Sequence, residues 1–111
     1  MARNESAMEV TKHEFNEIIN NSHKLVVVDF YAEWCMPCVM LSPVIEELAE
    51  SKSMKGVKFT KLNVDDNEEL SRKYNVSNIP CLIIFKNGKE VGRITGSQTA
   101  DVIEEKIKKF L

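Results

Sequence analysis

Leu25-Val26-Val27-Val28-Asp29-Phe30-Tyr31-Ala32-Glu33-Trp34-Cys35-Met36-Pro37-Cys38 joins an apolar run to a closely spaced cysteine pair. Its first half, Leu25–Tyr31, is rich in β-branched and aromatic residues with little alternation, the pattern of a central strand covered on both faces. From Cys35 to about Lys52 the period becomes helical, with Leu41, Val44, Ile45 and Leu48 on one stripe. Pro37 suits a first helical turn, where no N–H is missed. Pro43 lies inside the same helix and is expected to kink it. Two cysteines three apart therefore stand where a strand gives way to a helix. The spacing puts both sulfurs on one side of the first turn, where unpaired N–H groups and the helix dipole favour a thiolate. Such a pair can close a disulfide and reopen it.

The remaining elements follow outward from this junction. On the N-terminal side a short strand is expected at Ala7–Val10. Thr11 and Glu14 then fit a capping box, with Phe15, Ile18 and Ile19 as the buried face of a helix. On the C-terminal side Val57–Val64 reads as a strand and Glu68–Tyr74 as a short helix with Leu70 and Tyr74 inward. Cys81–Phe85 and Glu90–Thr95 flank Asn87-Gly88, a strong hairpin signal. Thr99 can cap a last helix with Asp101 in its first turn. Ile103, Ile107, Phe110 and Leu111 form that helix's apolar stripe, and Lys106, Lys108 and Lys109 complement its dipole. The order β-α-β-α-β-α-β-β-α combines parallel crossovers with an antiparallel hairpin. It predicts an α/β fold with a central mixed sheet and helices on both faces.

The chain has 111 residues, an apolar fraction of 43% and a net charge of −2. Residues 7–111 are expected to form one domain, and residues 1–6, whose only apolar side chains are Met1 and Ala2, to be loose. The charge balance gives no electrostatic grip on nucleic acid or anionic membrane. No apolar run is long enough to span a bilayer, and Met1–Glu9 does not resemble a signal peptide. The expectation is a cytoplasmic monomer. There a close cysteine pair is catalytic or metal-binding rather than structural. Zinc usually asks for a second ligand pair, and the chain offers only Cys81, His13 and His23 besides, the two histidines not at ligand spacing, so redox chemistry is the stronger reading and no metal or cofactor is expected.

Within the pair, Cys35 is expected to be the exposed nucleophile and Cys38, one turn in, the shielded thiol that resolves a mixed disulfide. Asp29 is the next anomaly, a carboxylate in an apolar strand six residues before Cys35. It reads either as a strand-end aspartate facing water or as a buried proton acceptor for Cys38 with a raised pKa. Lys61 shares strand parity with Val57 and Phe59; it either points inward beside Asp29 or is solvated. Pro80, ahead of Cys81, marks a strand start or a cis peptide, and the sequence does not decide the isomer.

Taken together these residues resemble the thioredoxin family over nearly the whole chain. Val28–Cys38 is close to the family's signature, and Pro43, Ile79-Pro80, Phe85-Lys86-Asn87-Gly88 and Gly96 fall where its pattern expects them. The resemblance implies a thioredoxin fold and a general protein-disulfide reductase acting on disulfide-containing proteins. Its thiols would be recharged by thioredoxin reductase or an equivalent electron donor. Cys35 would attack, Cys38 resolve, Asp29 serve as buried acid/base with Lys61 near it, and Pro80 be a cis-proline facing the pair. A flat apolar docking surface would comprise Trp34, Met36, Pro37, Ile79, Pro80 and Gly96, with the Ile79 backbone pairing with an extended substrate.

Three positions depart from the family pattern. Met36 replaces the usual glycine between the cysteines, adding apolar surface. Tyr31 stands where tryptophan is commoner. Cys81 replaces the usual threonine after the proline, either as a buried small hydrophobe or as a third thiol near the pair, able to regulate it or to complete a metal site. The competing class of function is a docking module whose thiols are incidental.

Overall fold

The computed structural model describes residues 7–21 and 23–111; the expectation for residues 1–6 lies outside them. Five strands, β1 (Met8–Glu9), β2 (Leu25–Tyr31), β3 (Val57–Asn63), β4 (Cys81–Lys86) and β5 (Lys89–Thr95), form one sheet in the order β1-β3-β2-β4-β5. β1 and β2 both run parallel to β3, whereas β4 is antiparallel to β2 and to β5. The helices are α1 (Lys12–Asn21), α2 (Met36–Ala49), α3 (Glu68–Lys73) and α4 (Ala100–Lys108). The fold is therefore the α/β arrangement with a mixed central sheet that the pattern of elements predicts.

β2 is central, and its alternate residues feed two cores. Leu25 and Val27 join Leu82, Ile84, the α2 residues Leu41, Ile45 and Leu48, and Ile103 and Ile107 of α4. Val26, Val28 and Phe30 join Ile83, Phe85 and the α1 residues Phe15 and Ile19. This double burial is why β2 lacks alternation. Each such side chain contributes about 1.5–3 kcal/mol through burial. On the second face Phe15, Tyr74 and Phe85 form an aromatic trio, with ring centroids 5.4–5.7 Å apart.

Local signals set the boundaries. Glu14 reaches back to the Thr11 N–H at 3.1 Å, but the Thr11 hydroxyl donates to the same carboxylate, so half of the expected capping box forms. Thr99 Oγ1 accepts the Val102 N–H at 3.4 Å and caps α4. Asn87 and Gly88 have φ of 54° and 82°, as a tight hairpin turn between β4 and β5 requires. α2 runs on through Pro43 from Met36 to Ala49.

Some expectations are corrected. The strand ending at Val64 stops at Asn63, because the Asn63 side chain accepts the Asp65 N–H at 2.9 Å and starts a 3₁₀ turn over Val64–Asp66. α3 ends at Lys73, with Tyr74 as its cap residue. Leu111 does not join the α4 stripe; it is 57% exposed, lying beyond the last turn.

Candidate functional site

The end of β2 leads through Ala32–Trp34 into α2, and Cys35 is the N-cap residue of that helix. Cys35 and Cys38 are joined in a disulfide, with Cα atoms 5.2 Å apart. The Cys38 N–H points at Cys35 Sγ from 3.3 Å. A negative charge on that sulfur would meet both this donor and the positive end of the helix dipole, the environment that lowers a thiol pKa.

Cys35 is not the exposed thiol that its position suggests. It is 6% exposed and Cys38 5%, so burial alone does not separate them. The reason is packing: Ala32, Tyr31, Val64 and Ile79 close around the pair, and Cys35 Sγ lies 3.9 Å from the Ile79 carbonyl oxygen. What separates the two sulfurs is what each faces. Cys35 faces the Ile79 backbone. Cys38 lines a cavity of about 270 Å³ together with Asp29, Tyr31, Glu33, Ser42 and Lys61.

The Ile79–Pro80 peptide is cis, which resolves the isomer that the sequence leaves open. The Pro80 carbonyl accepts the Gly96 N–H at 2.8 Å, and Gly96 has a φ of +89°. This bond ties the segment before β4 to the end of β5. Around the disulfide, Trp34 is 73% and Met36 64% exposed, Pro37 is exposed, Ile79 and Gly96 are half-buried, and Pro80 is buried. The Trp34 indole N–H donates to Asp65 Oδ2 at 2.8 Å, fixing the ring beside the pair. Sequence reasoning missed Asp65, because nothing in one sequence pairs residues 31 positions apart.

Asp29 is buried, not a strand-end aspartate in water: it is 6% exposed, and its Oδ1 has no hydrogen-bond partner among the described residues. Burial raises its pKa from 3.8 to about 7; the Lys61 ammonium pulls against this and Glu9 adds to it. Lys61 is the registered neighbour of Asp29 on β3. Its side chain is half-buried, and Nζ stands 5.1 Å from the centre of the Tyr31 ring. The inward and solvated readings of Lys61 thus merge, the charge sitting at the cavity's rim.

Cys81 does not stand near the pair. It is registered with Phe30, whereas Asp29 is registered with Leu82, so Cys81 shares Phe30's face of the sheet. It is 2% exposed among Ile83, Phe85 and Phe15, and burial pushes its thiol pKa up. The third-ligand and regulatory readings fail on this geometry, and the buried small hydrophobe remains.

The thioredoxin family profile matches residues 6–109. A thioredoxin from Chlorobaculum thiosulfatiphilum is 41% identical over 103 residues, covering 93% of this chain and 94% of that protein. Thioredoxin-2 of Saccharomyces cerevisiae is 44% identical over 89 residues, covering 80% of this chain and 84% of that one. Among solved structures, a mutant thioredoxin from Halobacterium salinarum NRC-1 superposes with a TM-score of 0.85 at 31% identity, covering 99% of this chain and 96% of that chain. A disulfide at a helix N-terminus, a cis-proline beside it and this similarity over the whole domain agree: the chain belongs to the thioredoxin family, the protein-disulfide oxidoreductases with a redox-active cysteine pair.

Proposed function

We propose that this oxidoreductase reduces disulfides of protein targets with Cys35 as nucleophile, Cys38 as resolving thiol and Asp29 as the acceptor of the Cys38 proton. The Cys35 thiolate attacks one sulfur of a target disulfide. That bond breaks, the target's leaving thiolate takes up a proton, and a Cys35–target mixed disulfide forms. The Asp29 carboxylate then takes the Cys38 proton, directly or through water in the cavity, which has room for several molecules. The Cys38 thiolate attacks Cys35 Sγ, the second target thiolate leaves, and the target has gained two electrons. The product is the Cys35–Cys38 disulfide. Thioredoxin reductase or an equivalent donor, in a reducing compartment such as the cytoplasm, returns the pair to the dithiol.

The observation that carries this reading is the asymmetry of surroundings. One sulfur faces the Ile79 backbone, where an extended target can pair, and the other faces a cavity lined by the buried Asp29 carboxylate, whose Oδ1 has no hydrogen-bond partner among the described residues. The exposed apolar surfaces of Trp34, Met36 and Pro37 beside Ile79, Pro80 and Gly96 suit targets of varied sequence, since the pairing is to backbone.

An insulin-reduction assay driven by a reductase tests the roles. Cys35→Ser abolishes turnover, and Cys38→Ser accumulates mixed disulfides that run as higher-mass, reductant-sensitive bands. Full activity in Cys35→Ser overturns the assignment. Asp29→Asn slows the resolving step more than the first attack in stopped-flow measurements; equal slowing of both removes the proton-acceptor role.

A further inference from the structure

Glu9, Lys61 and Asp29 stand in one row across three parallel strands. Glu9 of β1 is registered against Lys61 of β3, and Lys61 against Asp29 of β2. Registered residues of neighbouring strands share a face, so the row runs acid, base, acid from the sheet's edge to the buried position beside Cys38. Tyr31, two residues after Asp29, lies on the same face. Its hydroxyl donates to Glu9 Oε1 at 2.8 Å, and its ring lies 5.1 Å from Lys61 Nζ. The reaction above uses neither Glu9 nor the Tyr31 hydroxyl.

We propose that Glu9 is a positioning residue for the Asp29 proton: held by the Tyr31 hydroxyl, its carboxylate competes with Asp29 for the Lys61 ammonium and leaves Asp29 less of that positive charge than it would otherwise have. The inference rests on the reading of Asp29 as the acceptor for Cys38. Lys61 is registered between the two acidic residues, and the edge carboxylate is fixed by a hydrogen bond that Asp29 Oδ1 lacks among the described residues. The titratable groups around Asp29 are Lys61 from β3, Glu9 from β1, Tyr31 on its own strand, Glu33 from the segment before α2, Cys38 from α2 and, from β4, the neutral Cys81 thiol. Of these Lys61 is the cation, so its division between two acids decides the balance. The directions agree, since Lys61 lowers the Asp29 pKa and Glu9 raises it. Burial and the Glu9 carboxylate push the Tyr31 phenol above its ordinary value, so it stays a neutral donor while Asp29 titrates.

The test follows the Asp29 carboxyl carbon by NMR across pH in the oxidised protein, where the paired cysteines do not titrate, with Asp29→Asn to identify the signal. Glu9→Gln keeps an acceptor for Tyr31 but removes the charge. It lowers the Asp29 midpoint by about half a pH unit at low ionic strength, as one charge about 10 Å away across a partly solvated rim should, and high salt shrinks the difference. Tyr31→Phe keeps the ring under Lys61 and shifts the midpoint the same way, and Glu9→Gln/Tyr31→Phe shifts it no further than Glu9→Gln alone. An unchanged midpoint in Glu9→Gln, or shifts that simply add, overturns the proposal. The pH profile of Cys38 resolution, measured in parallel, separates the two readings. If the carboxyl midpoint moves and the profile does not, the charge row stands and the proton-acceptor role of Asp29 falls.

Discussion

Replacing Asp29 by asparagine should make the protein more stable, and the gain should depend on pH in a way set by burial. In the folded chain the Asp29 pKa is raised from 3.8 to about 7, with desolvation as the main cause. The folded state thus binds this proton more tightly than the unfolded chain. Between the two values the native protein holds a proton that the unfolded chain has released, so unfolding is favoured as pH rises. The site costs nothing below about pH 4, and its cost grows to a plateau once the folded group ionises above about pH 7. Each pKa unit corresponds to about 1.4 kcal/mol, so the gap between 3.8 and about 7 gives a cost of roughly 4 kcal/mol at pH 8. That is a large part of the roughly 5–15 kcal/mol that holds a typical domain together. Asparagine has no charge to desolvate. The stability difference between Asp29→Asn and the parent, from urea unfolding of the oxidised proteins, should therefore grow by about 4 kcal/mol from pH 4 to pH 8. A difference that stays flat over that range would refute the reasoning, because it would mean that Asp29 is not a charge kept from water.

Other expectations test the fold around the site. In the oxidised native protein no thiol should react with Ellman's reagent, and one should appear on unfolding, since Cys81 is 2% exposed; a fast-reacting native thiol would contradict its placement. Thr99→Ala removes the oxygen that caps α4 and should cost about 1 kcal/mol in chemical denaturation. Gly88→Ala should cost about 1 kcal/mol or more, because φ is +82° and a new Cβ would press on the Asn20 side chain; unaltered stability would argue against this turn geometry. Phe15→Ala empties the aromatic trio and should cost about 3–5 kcal/mol by the same measurement.

Much of this was legible in the sequence because it rests on local rules. Asn87-Gly88 needs only its own backbone freedom to make a hairpin, Thr99 needs only the turn that follows it, and Leu25–Tyr31 carries its double burial in its composition. The cysteine spacing likewise implied a disulfide without any partner from elsewhere. What failed depends on pieces far apart in the chain. Cys35 stands at an exposed-looking helix start, yet Ile79 and Val64 arrive from other segments to cover it. Cys81 follows the cis-proline that flanks the pair, but strand alternation sends its side chain through to the opposite face. The Glu9–Tyr31 hydrogen bond was silent because no single sequence shows that β1 and β2 both lie against β3. The burial of Asp29 was one of two readings that its apolar neighbours allowed, whereas its cavity takes in Cys38, Val39 and Ser42 of α2.

Only three positions of sequence separate the partners of the disulfide. Closing so small a ring restrains the unfolded chain by only about 2 kcal/mol, against nearly 5 for a ring of a hundred residues. The bond is therefore a weak staple, and that suits a bond meant to be made and broken in every cycle. The two large cores do not include the cysteine pair, so the sheet should stay as it is while the electrons come and go. Hydrogen exchange of the β2 and β4 amides should accordingly differ little between the oxidised and reduced proteins. On the proposed docking surface, a partner that distinguishes the two forms would then read the few atoms around Trp34, Met36 and Ile79 rather than the scaffold beneath them.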